Sequence, residues 1–388
     1  VTLIDFLIIA AKIVAVILLF AFPIGSLMTL LGDRKQSSLI QNRVGPNRAR
    51  LPFVPSALLG IPHFIADGLK MILKEDIIPD GANRFWHNMA PALTIFPAIV
   101  LWATIPFMDL YCHGNITVEL VNGIYRDVCH GESANYFSIA DLDAGLLYIF
   151  AIAAIGVYGA AIAGWASNSK FSLIGGIRSS AQMISYEVSM GLSVTGLILI
   201  YGTLNLNEMV AMQGHLIDGW LPMWGIVVQP LAFFMFLTIM MAETKRAPFN
   251  VPEGESEIVA GYFTEYSSMK FGVIQLGEYV ATVFVGALVA TLFLGGWQVP
   301  YLFGDGFHFG YTGESGPDIA LPYWLIIGLR IGAFVLKTLF ILWLQFMLRW
   351  TLPMFRYDQI MTLGWKIMLP LSLANLLVTG FILFVIIG

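Results

Sequence analysis

The stretch AETKRAPFNVPEGESEIVAGYFTEY, residues 242–266, sets five glutamates in one segment: Glu243, Glu253, Glu255, Glu257 and Glu265. In the whole 388-residue chain only 12% of residues are charged. Carboxylates this close titrate as a coupled set, so a charge arriving at one shifts the proton affinity of the next. Two further acids, Glu187 in QMISYEVSMGL and Glu278 in QLGEYVATVF, lie inside apolar runs. A carboxylate in hydrocarbon costs on the order of 2.5–3.5 kcal/mol on insertion scales, so each must face protein or water. Such acids either relay protons or hydrogen-bond a neighbouring helix, and a functional role is the default. Lys337 lies near the middle of another apolar run, two helical turns after Arg330. It is expected to be a partner or proton-carrying neighbour of the acids. Asp141 and Asp143 read as solvated end charges.

The elements that hold these groups follow from composition. Hydrophobic residues make up 58% of the chain, which is the composition of a polytopic membrane protein. Apolar runs of membrane length fall near 4–31, 88–108, 143–165, 181–202, 222–242, 271–295, 322–348 and 365–387. The first has no basic leader or small-residue cleavage site and reads as a span rather than a signal peptide. Between the first two, Pro62–Lys74 places His63, Asp67, Lys70 and Lys74 opposite Ile65, Leu69 and Ile72, the pattern of a helix lying in the interface. The expected fold is therefore all-α and polytopic, with eight transmembrane helices plus an interfacial amphipathic helix. It forms a single membrane domain over 1–388, with an inner loop 33–87 that carries the amphipathic helix 62–74. An outer loop 109–140 and an acidic inner loop 243–270 complete it.

Orientation follows from Lys and Arg. Sixteen of the 20 lie in or beside the loops after spans one, three, five and seven, whereas the opposite loops hold only Arg126. The positive-inside rule then puts both termini outside and the acidic segment on the inner face; its acids barely affect topology. At 1.5 Å per residue, Glu187 and Glu278 fall roughly 9–11 Å below the inner boundary.

Other chemistry is excluded or left to partners. Cys112 and Cys129 share one outer loop and are either a disulfide or two free thiols; adjacent Cys-His pairs are poor joint metal ligands. Two outer cysteines cannot hold an iron–sulfur cluster alone, and His63, His87, His113, His130, His215 and His308 offer no mid-membrane haem pair. No phosphate-binding glycine motif is present. Net charge of −5 and the lack of a basic tail give no sign of nucleic-acid binding. No repeated halves point to a secondary transporter. The first inner loop, GDRKQSSLIQNRVGPNRAR, joins basic residues to a Gly-Pro-Asn turn just before the amphipathic helix. It is either ordinary positive-inside bias or the mouth of a site for an amphiphile with a polar head.

Several strings carry a resemblance: QNRVGPNRA, ADGLKMILKE, GWASNSKFSLIGGIRSSAQMISYEVSMGL, AETKRAPFNVPEGESEIVAGYFTEYSSMKF, FLGGW and LRWTLPMFRYDQIMTLGWKIMLP. In order and along the whole chain they resemble the family of the respiratory complex I heel subunit, also called the H-type subunit of bacterial NADH–quinone oxidoreductase or mitochondrial NADH dehydrogenase subunit one. The resemblance implies an eight-helix protein at the junction of the membrane and peripheral arms. Its first, interfacial and sixth helices would frame a quinone chamber. Quinone would be the substrate, with iron–sulfur clusters, FMN and NADH held by partner subunits. Those partners would be the peripheral quinone-site subunits and small membrane-arm subunits.

By motif, the resemblance assigns Asp33, Arg34, Lys35, Arg43 and Arg48 to the loop beside that chamber, and Asp67 and Lys70 to its entrance. It assigns Glu243, Glu253, Glu255, Glu257 and Glu265 to the acidic loop, and Glu187 and Glu278 to a path toward the pumping subunits. Departures are Asp33 in place of a usual glutamate, His63 in place of glutamine, and a longer connection, LPFVPSALLGIP. Neutral Asn250 replaces an aspartate, which removes one acid from the path, and the outer loops 109–140 and 296–321 are enlarged. The implied function is that of a component of a proton-pumping NADH:quinone oxidoreductase in a bacterial inner membrane, or alternatively the mitochondrial one. The rivals are the related membrane component of a proton-pumping hydrogenase and a stand-alone transporter built on Glu187, Glu278 and Lys337. The C-terminal RYDQIMTLGWK and the complete Gly-Pro-Asn loop favour the quinone enzyme.

Overall fold

The computed structural model describes residues 10, 12–14, 29–49, 60–109, 111–112, 115–121, 124–130, 134–135, 138–217, 220–254, 257–308 and 319–387. Most of the first expected span, most of the LPFVPSALLGIP connection, and Glu255 lie outside these residues, as do the side chains of Cys112 and Cys129.

The described chain is mostly helical. A π-helical segment, Thr29–Gln36, precedes α1 (Ile61–Leu73), α2 (Arg84–Val100), α3 (Gly145–Ala166), α4 (Lys170–Tyr201), α5 (Leu206–Gln213), α6 (Pro230–Glu243), α7 (Ser268–Phe293), α8 (Tyr323–Thr351) and α9 (Leu369–Ile387). Five described helices are long and apolar enough to cross a membrane: α3, α4, α7, α8 and the continuous run Tyr357–Val385 that leads into α9. Two other expected spans are shorter for local reasons. α2 contains Pro91 and Pro97, each lacking the N–H of a helical hydrogen bond, and ends in a 3₁₀ turn, Leu101–Thr104. The span expected at 222–242 is broken at Gln229, where backbone angles of −136° and 64° separate Gly225–Val228 from α6. Pro230 opens α6 at a position where its missing N–H is harmless. The Gln229 side chain bridges to α9, donating to Thr379 Oγ1 at 2.6 Å and accepting from Asn375 at 2.7 Å.

α4 begins at Lys170, eleven residues before the expected start at 181. Its first turns, KFSLIGGIRSS, are too polar for a hydropathy reading, but their small residues let other backbone approach closely. α1 leaves Phe64, Ile65, Leu69, Ile72 and Leu73 exposed along its length. The structure is not purely helical: two seven-residue strands, β1 (Asn115–Val121) and β2 (Ile124–His130), pair in antiparallel register.

α7 is the centre of the bundle. From Gly277 to Phe293 every residue but Ala281 is buried, and α7 packs on α2, α8 and α6. α4 joins α3, α6 and α9 around it. The acidic loop folds inward onto this bundle because two glycines admit it. Gly175 on α4 has no Cβ where one would stand 2.5 Å from the Tyr262 backbone nitrogen. Gly261 adopts φ +62°, and a Cβ there would collide with the Pro252 carbonyl. Gly175→Ala should therefore push the Tyr262 turn off α4 at a cost of about 1–3 kcal/mol, seen as a lower melting temperature of the purified protein. Gly191→Ala, also on α4 but with nothing within 4 Å of its Cβ, should leave that temperature unchanged or raise it.

Candidate functional site

α6 ends at Glu243, and the chain turns inward through Thr244, Lys245 and Arg246, with Lys245 in the left-handed region at φ +54°. A non-glycine residue there is uncommon and marks a backbone bent for a purpose. The turn buries two cations: Lys245 is 5% exposed and Arg246 7%.

Arg246 points at Asp33, with Nη1 3.6 Å from Oδ2, and its guanidinium lies 4.1 Å from the Tyr279 ring centroid. Asp33 also accepts hydrogen bonds from Tyr279 Oη on α7 and from Arg349 Nη1 on α8. One carboxylate from the π-helical segment thus ties together the acidic loop, α7 and α8. Arg246 Nε and Nη2 are buried without a hydrogen-bond partner among the described residues.

A second node lies next to the first. Tyr262, fully buried, donates its hydroxyl to Glu278 Oε1, while Glu278 Oε2 is buried with no partner among the described residues. Lys245 Nζ sits 4.7 Å from the Tyr262 ring centroid. Glu243, Lys245 and Glu278 line a cavity of about 90 Å³ enclosed by α2, α3, α4, α6 and α7, with Thr94, Ile149, Met183 and Phe284 among its walls. One water needs only ~10–15 Å³ of such space, so several fit.

Burial drives the electrostatics of the loop. It lowers the proton affinity of Lys245, opposed in turn by Glu278, Glu243 and Glu253. Burial, followed by Glu278, pushes Glu253 up to about 7, against the pull of Arg246, a hydrogen bond from Asn250 and the charge of Arg349. Burial and Glu278 also push the Tyr262 phenol well up, so it stays a hydrogen-bond donor. Neutral Asn250 is buried beside this row and supports the ionised form of Glu253.

The residues singled out in the sequence divide into groups. Glu243 and Glu278 line one cavity with Lys245, Glu253 acts electrostatically on Lys245, and Glu187 on α4 acts on Glu243. Glu257 stands apart on the loop surface, paired with Arg178 at 2.5 Å beside a cleft of about 280 Å³ that Asn250 and Arg356 also line. Glu265 lies in the turn before α7 next to His87, whose ring stacks on Tyr266 with centroids 4.2 Å apart. Glu255 lies outside the described residues. Arg34 is paired with Asp67 of α1, Lys35 Nζ donates to the Val44 carbonyl at 2.9 Å, and Arg43, Arg48 and Lys70 are exposed. Lys337 is elsewhere: it donates to the carbonyls of Gly296 at 3.0 Å and Gln298 at 2.5 Å, 4.4 Å from the Trp224 ring centroid. It caps the loop after α7, where the expectation paired it with the acids. An apolar run shows that a lysine is buried but not which end of a neighbouring helix it meets.

Lys245, Arg246, Tyr262, Tyr279 and Arg349 also belong to the site, although the sequence does not mark them for it. The first two carry a signal, two adjacent cations directly beside the acids, but they read as positive-inside charge. The tyrosines and Arg349 carry none.

The family model for NADH dehydrogenase matches residues 11–380. Among curated relatives, an H-type component of the NADH-quinone oxidoreductase of Cytophaga hutchinsonii is 40% identical over 348 residues, covering 90% of this chain and 89% of the relative. The corresponding component from Geobacter metallireducens is 39% identical over 373 residues, 96% and 95% of the two chains. That from Koribacter versatilis is 41% identical over 371 residues, 95% and 96%.

Two outcomes follow from the site. Asp33→Ala leaves the Arg246 and Arg349 charges without their shared carboxylate, and breaking a buried pair costs about 3–5 kcal/mol; the yield of folded protein should fall sharply. Glu253, held near 7 against an ordinary 4.5, binds more protons folded than unfolded between those values, so stability should fall as pH rises through that window. Thermal unfolding across pH should show the slope, and Glu253→Gln should flatten it.

Proposed function

The chain belongs to the NADH dehydrogenase family, and on that premise we propose that it is the membrane component of a proton-pumping NADH:quinone oxidoreductase that couples quinone reduction to proton movement. The observation that carries the reading is an unbroken electrostatic row from the inner loops into the bundle. Asp33 holds Arg246, Arg246 acts on Glu253, Glu253 and Glu278 act on each other through the loop, and Lys245 joins Glu278 to Glu243. Glu187 continues the row on α4.

In this reading the quinone headgroup approaches from the side of Arg34, Lys35, Arg43 and Arg48, with Asp67 and Lys70 of α1 at the entrance and α1 in the membrane interface. Both termini lie outside, among eight spans of a bacterial inner membrane. NADH, FMN and iron–sulfur clusters belong to partner subunits, and this chain supplies no redox centre. Reduction of the quinone takes up protons and changes the local charge next to Asp33. At an effective dielectric of ~20, two unit charges ~6 Å apart interact by about 2.8 kcal/mol, about two pKa units. Each carboxylate can therefore pass the change to the next, and waters in the cavity beside Glu278 would carry the proton. Lys337 lies on backbone carbonyls outside the row, which speaks against a stand-alone transporter site made of Glu187, Glu278 and Lys337.

The test is purification through a tag on this chain. Iron–sulfur partners and NADH-driven quinone reduction with proton uptake into vesicles are expected; an active lone chain would overturn the proposal. In the assembled complex, Glu278→Gln or Glu187→Gln should lower quinone turnover and pumping at least tenfold while NADH oxidation by an artificial acceptor at the partner module is unchanged.

A further inference from the structure

The acids of the row need a cation that is not already committed. Asp33 engages both Arg246 and Arg349, and these two also act on Glu253, which leaves Glu243 and Glu278 to Lys245, which lines their cavity. Its surroundings fit that role. Lys245 is buried and lines the same cavity as Glu243 and Glu278. Its ammonium faces the ring of Tyr262, whose hydroxyl holds Glu278. Charged or titratable groups reach it from several elements: Glu243 from α6, Arg246 and Glu253 from the loop, Tyr262 from the turn Gly261–Phe263 and Glu278 from α7. The left-handed backbone at Lys245 turns the side chain inward at a position where a lysine is otherwise disfavoured.

We propose that Lys245 is a positioning residue for proton transfer: its buried ammonium is the shared counter-charge that allows Glu243 and Glu278 to ionise in one cavity, and it thereby sets how many protons the cluster holds at rest. This rests on the coupling function proposed above. Without the ammonium, Glu243 and Glu278 lose the cation in their own cavity and hold their protons to higher pH. The cluster then starts the cycle fully protonated and cannot accept the proton that quinone chemistry drives toward it. No bond other than O–H forms or breaks, and the proton stays on one carboxylate or the next.

The experiment uses the whole complex with Lys245→Asn, which removes the charge but keeps a residue at ease in the left-handed region, and with Lys245→Arg, which retains the charge. Two readouts are taken across pH: quinone-linked proton pumping, and the infrared carboxyl C=O band, which counts protonated acids. In Lys245→Asn the pH midpoint of carboxyl ionisation should rise by about one to two units, and the pumping profile should move up with it; Lys245→Arg should restore both. An assembled Lys245→Asn complex with an unmoved carboxyl titration overturns the inference, even while wild-type pumping upholds the coupling function. A moved titration in a complex that shows no quinone-linked pumping upholds the inference and overturns that function. Should Lys245→Asn fail to assemble, Lys245→Asn/Glu243→Gln, which removes the matching negative charge, should assemble; continued failure of the pair overturns the counter-charge role.

Discussion

The packing of the acidic loop on the bundle is organised around the carboxylate of Asp33. It is a single acid in the π-helical segment, yet it receives hydrogen bonds from Tyr279 and Arg349 and faces Arg246. A buried ion network of this kind is weak as a source of net stability, because desolvation cancels most of the Coulombic gain. Its value is registry. It ties α7, α8, the acidic loop and the π-helical segment to one carboxylate. The same arrangement buries Lys245 and Glu278 beside each other.

Inward folding of a polar loop is costly unless its polar groups find partners. Here the partners come in layers. Gln182 on α4 donates to the Ala242 and Phe249 carbonyls at 2.7 and 3.0 Å, closing both ends of the turn. Tyr262 serves Glu278, and Asn250 serves Glu253. Among the described residues, the buried polar atoms left without a partner around this turn are Gln182 Oε1, Asn250 Oδ1, Glu278 Oε2, and Arg246 Nε and Nη2. A fully satisfied network would be rigid and indifferent to one more charge; a network short of a few partners responds to it.

The exchange of an aspartate for Asn250 takes on a physical meaning in this setting. The position is buried and already crowded with acids, so a neutral donor lowers the number of like charges while still holding Glu253. Arg34 and Asp67 show a similar economy at the surface, where the first loop is pinned to α1 by one ion pair.

Local patterning is enough to read the class of molecule, most of its apolar helices, the amphipathic character of α1 and the concentration of acids in one loop. These depend on periodicity and composition, which each segment carries alone. Glu278 is recognisable because an acid in an apolar run has no solvent and must have a use. Which charges meet is settled by packing. Lys245 and Arg246 look like loop cations until a left-handed turn buries them. Lys337 looks like a partner for Glu278 until α8 packs it against the carbonyls at the far end of α7. The start of α4 is equally hidden, since KFSLIGGIRSS becomes helical by packing on α3 and the Tyr262 turn and not by its hydropathy. Pairing of charges from distant segments depends on crossing geometry between helices, and that information is held by the packed bundle and not by any stretch of the chain.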